Sequence, residues 1–275
     1  MIDENEDSSL EEIRLNSNNE DFEWVPQSGT GQMHDGVSGY FKYTGVDDHV
    51  VIPHTLGGTP VTSYYKMFEN TNVTKVEPTN VNVKNMGWMF YGSQAATLDL
   101  SNFDTSSVTQ MGNMFLNSHA TELDLSKFDT SKVTDMSYMF DGSKATTLDL
   151  SNFDTSNVTK MTNMFLGSQA TELDLSSFDT SNVTDMNWMF GYSQATSLDL
   201  SSFDTSNVTH MGRMFYLSRA TTLDLSSFDT SSVTNMNDMF QFSKATTGYA
   251  RTQTDADRFN GSSNKPATLT FTVKP

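Results

Sequence analysis

Two columns of aspartates are the most regular acidic groups of the chain. Each column repeats an aspartate every 25 residues. Carboxylates at such a spacing suit three kinds of chemistry: they accept hydrogen bonds from backbone N–H groups at turns, they bind Ca²⁺, or they titrate together as a pH sensor. The columns are Asp99, Asp124, Asp149, Asp174, Asp199 and Asp224, and Asp104, Asp129, Asp154, Asp179, Asp204 and Asp229.

The residues around the second column favour turn capping, because Asp154-Thr155-Ser156 forms a compact polar corner. A calcium ladder would need six or more oxygen ligands, and the chain lacks a Gly-rich calcium loop. Like charges one strand spacing apart repel by about 1 kcal/mol in water. The first column is therefore expected to raise its own pKa values, which would favour mildly acidic pH. We predict no metal and no cofactor.

Two variable positions of the repeat are candidates for ligand binding. One carries cations and amides but no acid, and the other mixes aromatic residues with amides, with further aromatics just beyond it. Such a surface suits stacking on sugar rings or anchoring of a protein partner. The alternative is that the cations neutralise the aspartates and the aromatics cover the edge. The candidate ligand-binding residues are Trp88, Tyr138, Trp188, Arg213, Tyr192, Tyr216, Lys144, Arg219, Lys244 and His119.

These positions are held by one repeated unit that makes up most of the chain. The pair Met89-Phe90 returns at intervals of 25 residues up to Met239-Phe240. A fixed period of this length is typical of a solenoid, in which each coil buries its apolar side against its neighbours. The flexible methionine side chain fills gaps between stacked coils, so we predict that the Met-Phe pair is core.

Within one coil, the stretch at 148–151 alternates apolar and polar residues, which predicts a short strand with both leucines inward. Phe153 is also expected to point inward. The apolar residues Val158, Met161 and Met164 are spaced by three, which favours a helical turn or an irregular edge over a strand. Stacked copies of each inward residue are expected to form ladders at a spacing of roughly 4.8 Å.

The composition divides the chain into four parts. We predict an acidic disordered tail at 1–21, a β-rich N-terminal cap at 22–66, and a solenoid at 67–247 with one short irregular coil followed by six 25-residue repeats. A C-terminal cap follows at 248–275, with a helical turn near Asp255 and a closing strand from Thr268. The fold class is therefore a repeat solenoid, leucine-rich-repeat-like or a β-solenoid with short strands in each coil, capped at both ends.

Composition also limits the partners and the chemistry. The net charge is −18, which argues against nucleic acid and anionic membranes. There are no cysteines and no apolar run of membrane-spanning length, so we expect no disulfides and no membrane insertion. Catalysis needs a constellation that breaks the repeat, whereas the polar residues here recur in every coil. We expect a non-catalytic protein and a monomer.

The stretches VVIPHTLGGTPVTSYYKMF and LDLSxFDTSxVTxMxxMF, the latter in six copies, resemble the BspA-like leucine-rich-repeat bacterial surface proteins over roughly residues 36–275. The chain departs from that pattern where Ser-x-Ala replaces the usual Cys and Leu after Met-Phe. The resemblance implies an extracellular protein of the bacterial cell surface, wall-attached in its full-length form. The lack of a secretion signal and a wall-sorting motif fits an excised ectodomain.

The resemblance further implies adhesion. We therefore expect a cell-surface adhesin that binds a host extracellular-matrix protein or glycan through the variable edge, including an anionic glycosaminoglycan at low pH. The alternative is a structural stalk or spacer that presents other domains of a larger surface protein.

Overall fold

The computed structural model describes residues 19–26, 39–80 and 82–275, so the predicted tail lies mostly outside the described residues. A 3₁₀ turn covers Asn19–Asp21, and one α-helix of the described chain, α1, covers Gln253–Asn260. Nowhere in these ranges is a helix long and apolar enough to cross a bilayer. The strands are β1 (Phe22–Pro26), β2 (Gly39–Tyr43), β3 (His49–Ile52), β4 (Thr55–Leu56), β5 (Thr59–Pro60), β6 (Lys75–Pro78), β7 (Thr97–Leu98), β8 (Glu122–Leu123), β9 (Glu172–Asp174), β10 (Ser197–Asp199), β11 (Thr222–Leu225), β12 (Thr247–Ala250) and β13 (Thr270–Val273).

These strands build a β-solenoid of about nine turns, with successive turns about 25 residues apart. Parallel pairing joins β3 to β6, β7 to β8 and β9 to β10, and β12 pairs with both β11 and β13. Equivalent residues of successive coils face each other, as Leu173 faces Leu198. The predicted fold class is confirmed, because the constant 25-residue period places every copy of a residue directly above the previous one.

A second ladder runs along the Met-Phe side of the coils. The N–H of Phe165 donates to the carbonyl of Met189 at 3.0 Å, and within one coil Met164 N donates to Met161 O at 3.2 Å. This side is the irregular edge that the three-residue spacing of Val158, Met161 and Met164 favours over a strand. The Leu-Asp-Leu stretch at 148–150 keeps the predicted alternation of burial without forming a strand. The coils are therefore joined on two sides.

The core is a set of side-chain stacks parallel to the solenoid axis. The Met-Phe phenylalanines form a continuous stack from Phe68 to Phe240, with ring centroids 5.6 to 5.9 Å apart and planes within 14°. Met164 and Phe165 have 0% exposed surface, and Phe153 is also buried. The prediction that the Met-Phe pair is core is confirmed.

A column of buried threonines also links the coils. The Thr155 hydroxyl donates to the carbonyl of Asp179 and accepts from the N–H of the same residue, both at 2.8 Å. One hydroxyl thus satisfies two backbone groups of the next coil. At the last coil, the carboxylate of Asp255 takes the place of this backbone contact and accepts from both the N–H and the hydroxyl of Thr230.

The C-terminal end continues the ladder beyond residue 247. Gly248 pairs with Leu223 on one side and Phe271 on the other. A Cβ at Gly248 would lie 2.4 Å from the Phe271 ring, so that ring fills the space of the missing leucine. The amide of Asn260 hydrogen-bonds both the N–H and the carbonyl of Phe271, which blocks that stretch of the outer edge of β13.

At the N-terminal end, β1 and β2 form an antiparallel pair. Parallel stacking begins with β3, inside the segment predicted to be the N-terminal cap. The ring of Tyr43 lies 5.6 Å from that of Phe68, so β2 covers the first ring of the phenylalanine stack.

Candidate functional site

The aspartate columns cap turns. Asp149 Oδ1 accepts from the N–H of Ser151 at 3.0 Å and from its hydroxyl at 2.7 Å, and Asp154 makes the same contacts with Ser156. The hydroxyl and N–H of the serine two residues on hold the pKa of the carboxyl below its usual range at Asp99, Asp104, Asp124, Asp129, Asp149, Asp154 and Asp174.

The expectation that the first column raises its own pKa values is therefore wrong in direction. Asp149 does feel the neighbouring charges of Asp174 and Asp124, which raise its pKa, but the two serine hydrogen bonds outweigh them. In water the repulsion between exposed carboxylates is screened, whereas each hydrogen bond acts only on the charged form. The calcium alternative gains no support either, because no three acidic or histidine side chains converge within the described residues.

The capped aspartates give the first testable prediction. Because their folded pKa values are lowered, the stability they contribute is present above about pH 4, the unfolded value, and is lost as the pH falls through the folded pKa. We expect the thermal midpoint to fall between pH 5 and pH 3. Asp154→Asn keeps an acceptor oxygen and removes the titration, so it should flatten this decline. An equally steep decline in that variant would contradict the assignment.

Asp141 behaves in the opposite way. Burial raises its pKa to about 6, and no hydrogen bond or ion pair to its carboxylate occurs in the described structure. Leu116 and Leu166 occupy the same position in the two adjacent coils. Backbone hydrogen bonds join these coils, because the N–H of residue 117 donates to Asp141 O and the N–H of residue 142 donates to Leu166 O. A charge at this position lacks a partner and costs free energy.

We expect Asp141→Leu to raise the unfolding free energy at pH 7 by about 1 kcal/mol, after allowance for partial solvent screening. The native carboxyl binds its proton near pH 6 and the unfolded one near pH 4, so wild-type stability falls as the pH rises through that interval. Urea denaturation at pH 4 and pH 7.5 tests this. Asp141→Asn is the control for charge alone. An equal gain from Asp141→Leu at both pH values would indicate packing instead.

The residue before each Met-Phe pair from Met89-Phe90 to Met239-Phe240 has a left-handed backbone. Its φ lies between 55° and 63° in seven coils. Asn and Asp adopt this conformation readily, whereas other side chains pay about 1 kcal/mol. The chain nevertheless places aromatic residues or arginine there in four of the seven coils. The residues are Trp88, Asn113, Tyr138, Asn163, Trp188, Arg213 and Asp238.

A second left-handed position lies four residues after that one. The first five coils place Gly or Asn there, which adopt a left-handed backbone at a low cost in conformational free energy. The last three coils place bulky residues there. Within the described solenoid, bulky side chains at both positions therefore coincide only in two C-terminal coils, where Trp188 precedes Tyr192 and Arg213 precedes Leu217. The residues are Asn70, Gly92, Asn117, Gly142, Gly167, Tyr192, Leu217 and Phe242.

Trp188, Tyr192 and Phe242 from these positions form one cluster with Tyr216, and we name these four residues the C-terminal aromatic edge. The Trp188 ring stacks on Tyr192 at 6.2 Å and lies 5.2 Å from Tyr216, whose ring is 5.7 Å from Phe242. The Arg213 guanidinium lies 5.1 Å from the Trp188 ring centroid. The structure thus brings four of the predicted site residues together.

A groove adjoins this edge. It has a volume of about 450 Å³ and is lined by Asn187, Trp188, Gly212, Arg213, Asn235, Asn237, Asp238 and Ser263. Arg213 pairs with Asp238 across it at 3.2 Å. Three amides and one ion pair give the groove hydrogen-bond donors and acceptors in comparable number. We name it the amide groove.

The predicted cation position divides into two groups. The glutamines Gln94, Gln169 and Gln194 donate to the carbonyl two residues earlier, so they cap their own turns. The other members are exposed and make no ion pair within the described residues, so they do not neutralise the aspartate columns. They are His119, Lys144, Arg219 and Lys244.

The remaining predicted residues lie apart. Trp88 is four coils from Trp188 and belongs to an N-terminal cluster in which Lys66 Nζ lies 5.2 Å from the Trp88 ring, 5.6 Å from Tyr65 and 6.0 Å from Tyr40. The cation that contacts the rings of that cluster is therefore the chain's own Lys66. Tyr138 is exposed and has no ring neighbour in the described chain.

Sequence reasoning missed most of the groove. Asn187, Asn235 and Asn237 look like ordinary turn residues, and Asp238 stands where earlier coils have Trp, Tyr, Arg or Asn. The usable signal was the occupancy of the second left-handed position, where Gly or Asn gives way to Tyr192, Leu217 and Phe242. It identifies the C-terminal coils without any knowledge of contacts.

The comparisons with known proteins agree with the repeat. No curated protein and no solved structure matches the chain. One family matches at residues 62–170 and 142–252, which together cover more than half of the chain. It is a repeat family found in BspA-like proteins. The chain therefore belongs to the family described as Mycoplasma protein of unknown function, DUF285.

Proposed function

We propose that the chain is the ectodomain of a bacterial cell-surface adhesin, a non-catalytic, monomeric solenoid that binds a host matrix protein or glycan through the C-terminal aromatic edge. The observation that carries the proposal is the coincidence of bulky side chains at both left-handed positions in two C-terminal coils, Trp188 with Tyr192 and Arg213 with Leu217. Earlier coils show that Asn and Gly suffice there for folding. Strain kept at a surface cluster is typical of a functional site.

Support also comes from the family. Its repeat is found in BspA-like proteins, and the resemblance of residues 36–275 to those proteins implies a surface protein. A spacer is the second candidate, because the phenylalanine stack continues without a break from Phe68 to Phe240 and would give a stiff rod. A spacer alone, however, would gain nothing from the bulky left-handed residues.

The test is binding of the purified chain to an array of glycans and matrix proteins at pH 7 and pH 5. Trp188→Asn and Tyr192→Gly copy the residues of earlier coils, such as Asn163 and Gly167. We expect them to abolish binding while the unfolding free energy changes by less than about 1 kcal/mol, since relieved strain offsets lost ring contacts. Tyr138→Asn is the matched control outside the cluster. Silence across the array at both pH values would favour the spacer.

A further inference from the structure

We propose that the ligand of the C-terminal aromatic edge is an acidic glycan, meaning a chain of pyranose sugars that carries carboxylate or sulfate groups. This inference rests on the proposed function and names its ligand class. It combines three features of the same coils: exposed rings, the amide groove and unpaired cations.

The first feature is the exposure of two rings. Tyr192 is 44% exposed and Phe242 is 56% exposed, whereas Trp188 is partly buried against Tyr192 and Tyr216. Trp188 is therefore the support of the cluster, and the other two rings present free faces. Rigid aromatic faces in a polar surface suit the apolar C–H face of a sugar ring.

The second feature is the chemistry of the amide groove. A Cβ at Gly212 would lie 2.9 Å from Asn187 Oδ1 and 3.4 Å from Asn235 Oδ1, so glycine keeps the space between these amides open. Amides donate and accept, and the pair of Arg213 and Asp238 does the same. Such a lining matches hydroxyl groups, which also do both, better than a purely anionic peptide.

The third feature is local charge. Arg219 and Lys244 lie in adjacent coils, since Lys244 N donates to Ser218 O at 3.0 Å, and they pair with no acid in the described structure. Three residues further along, these coils carry Thr222 and Thr247, where two earlier coils carry glutamates. In a chain of net charge −18 this corner is locally positive, and it selects an anionic ligand.

The experiment measures binding of the full chain at pH 7 to immobilised hyaluronan, which carries carboxylates, and to dextran sulfate, which carries sulfates. Carboxyl-reduced hyaluronan and plain dextran are the neutral counterparts, and polyglutamate is a polyanion without sugar. We expect at least one acidic polymer to bind about tenfold or more tightly than both its neutral counterpart and polyglutamate. Which acidic polymer binds distinguishes carboxylate from sulfate.

Variants locate the charge contact. Arg219→Gln with Lys244→Gln places in both coils the residue that the chain itself uses at Gln169 and Gln194, and should weaken binding about tenfold. Lys144→Gln, at the same position of a distant coil, should leave affinity within about twofold. Phe242→Gly, as in Gly92, should remove binding to the sugar polymers.

Several outcomes would overturn the inference. Equal binding to a neutral counterpart would exclude the charge contact, and equal binding to polyglutamate would exclude the sugar contact. Binding to matrix proteins without binding to either acidic polymer would overturn the glycan while leaving the proposed function in place. Binding to nothing on the array and to neither polymer would overturn both.

Discussion

Asp255→Ala is expected to lower the unfolding free energy by roughly 3–5 kcal/mol, the effect of removing one partner from a buried charged network. Asp255 is 2% exposed. Its carboxylate accepts from Thr230 N and Oγ1, from Thr252 Oγ1 at 2.5 Å and from Arg251 Nε at 3.3 Å. Burial raises the pKa of this carboxyl, but these hydrogen bonds together lower it below the usual range.

The loss should begin at the end of the solenoid. Without the carboxylate, the N–H and hydroxyl of Thr230 lose their acceptor and Arg251 keeps only its ion pair with Asp229, so the last coils open first. Urea denaturation gives the magnitude, and amide hydrogen exchange over residues 222–250 gives the location. Asp257→Ala is the matched control, because Asp257 is exposed and accepts only from Gln253 through its side chain. Equal losses in the two variants would contradict the role given to Asp255.

The second large effect is expected in the middle of the phenylalanine stack. Phe165 has 0% exposed surface, and its ring lies 5.7 Å from those of Phe140 and Phe190. We expect Phe165→Ala to cost about 3–5 kcal/mol, because backbone hydrogen bonds on two sides of the coil prevent collapse into the cavity.

Calorimetry and urea denaturation measure this cost. Because each coil contacts only its neighbours, the break should also divide one cooperative transition into two. Leu166→Ala, at the partly exposed neighbour, is the control and should cost much less. A single transition with a small shift would show that the stack relaxes around the cavity.

Much of this architecture follows from the sequence because a repeat fixes register. Once Leu148, Phe153 and Met164 recur every 25 residues, each can stack only on its own copy. Capping by Asp154 was also predictable, since an Asx turn involves residues two apart.

The left-handed positions were not predictable in the same way. Asn163 suggests such a backbone, but Trp188 at the same place does not, and only the stacking of coils imposes it. The direction of the aspartate pKa shifts depends on hydrogen-bond distances to residues such as Ser151 and Ser156, and a sequence does not contain these distances. The amide groove likewise joins residues of three coils with Ser263, which follows the repeat.

The amide of Asn260 has a consequence for behaviour at high concentration. An open strand edge is a template for another chain, and a regular solenoid offers its flattest one at its end. Asn260 takes up both backbone groups of Phe271, so the end of β13 imitates a strand that is already paired. We therefore expect this contact to hinder end-to-end pairing between copies of the chain, and we expect Asn260→Ala to make the end of β13 more prone to pair with another chain.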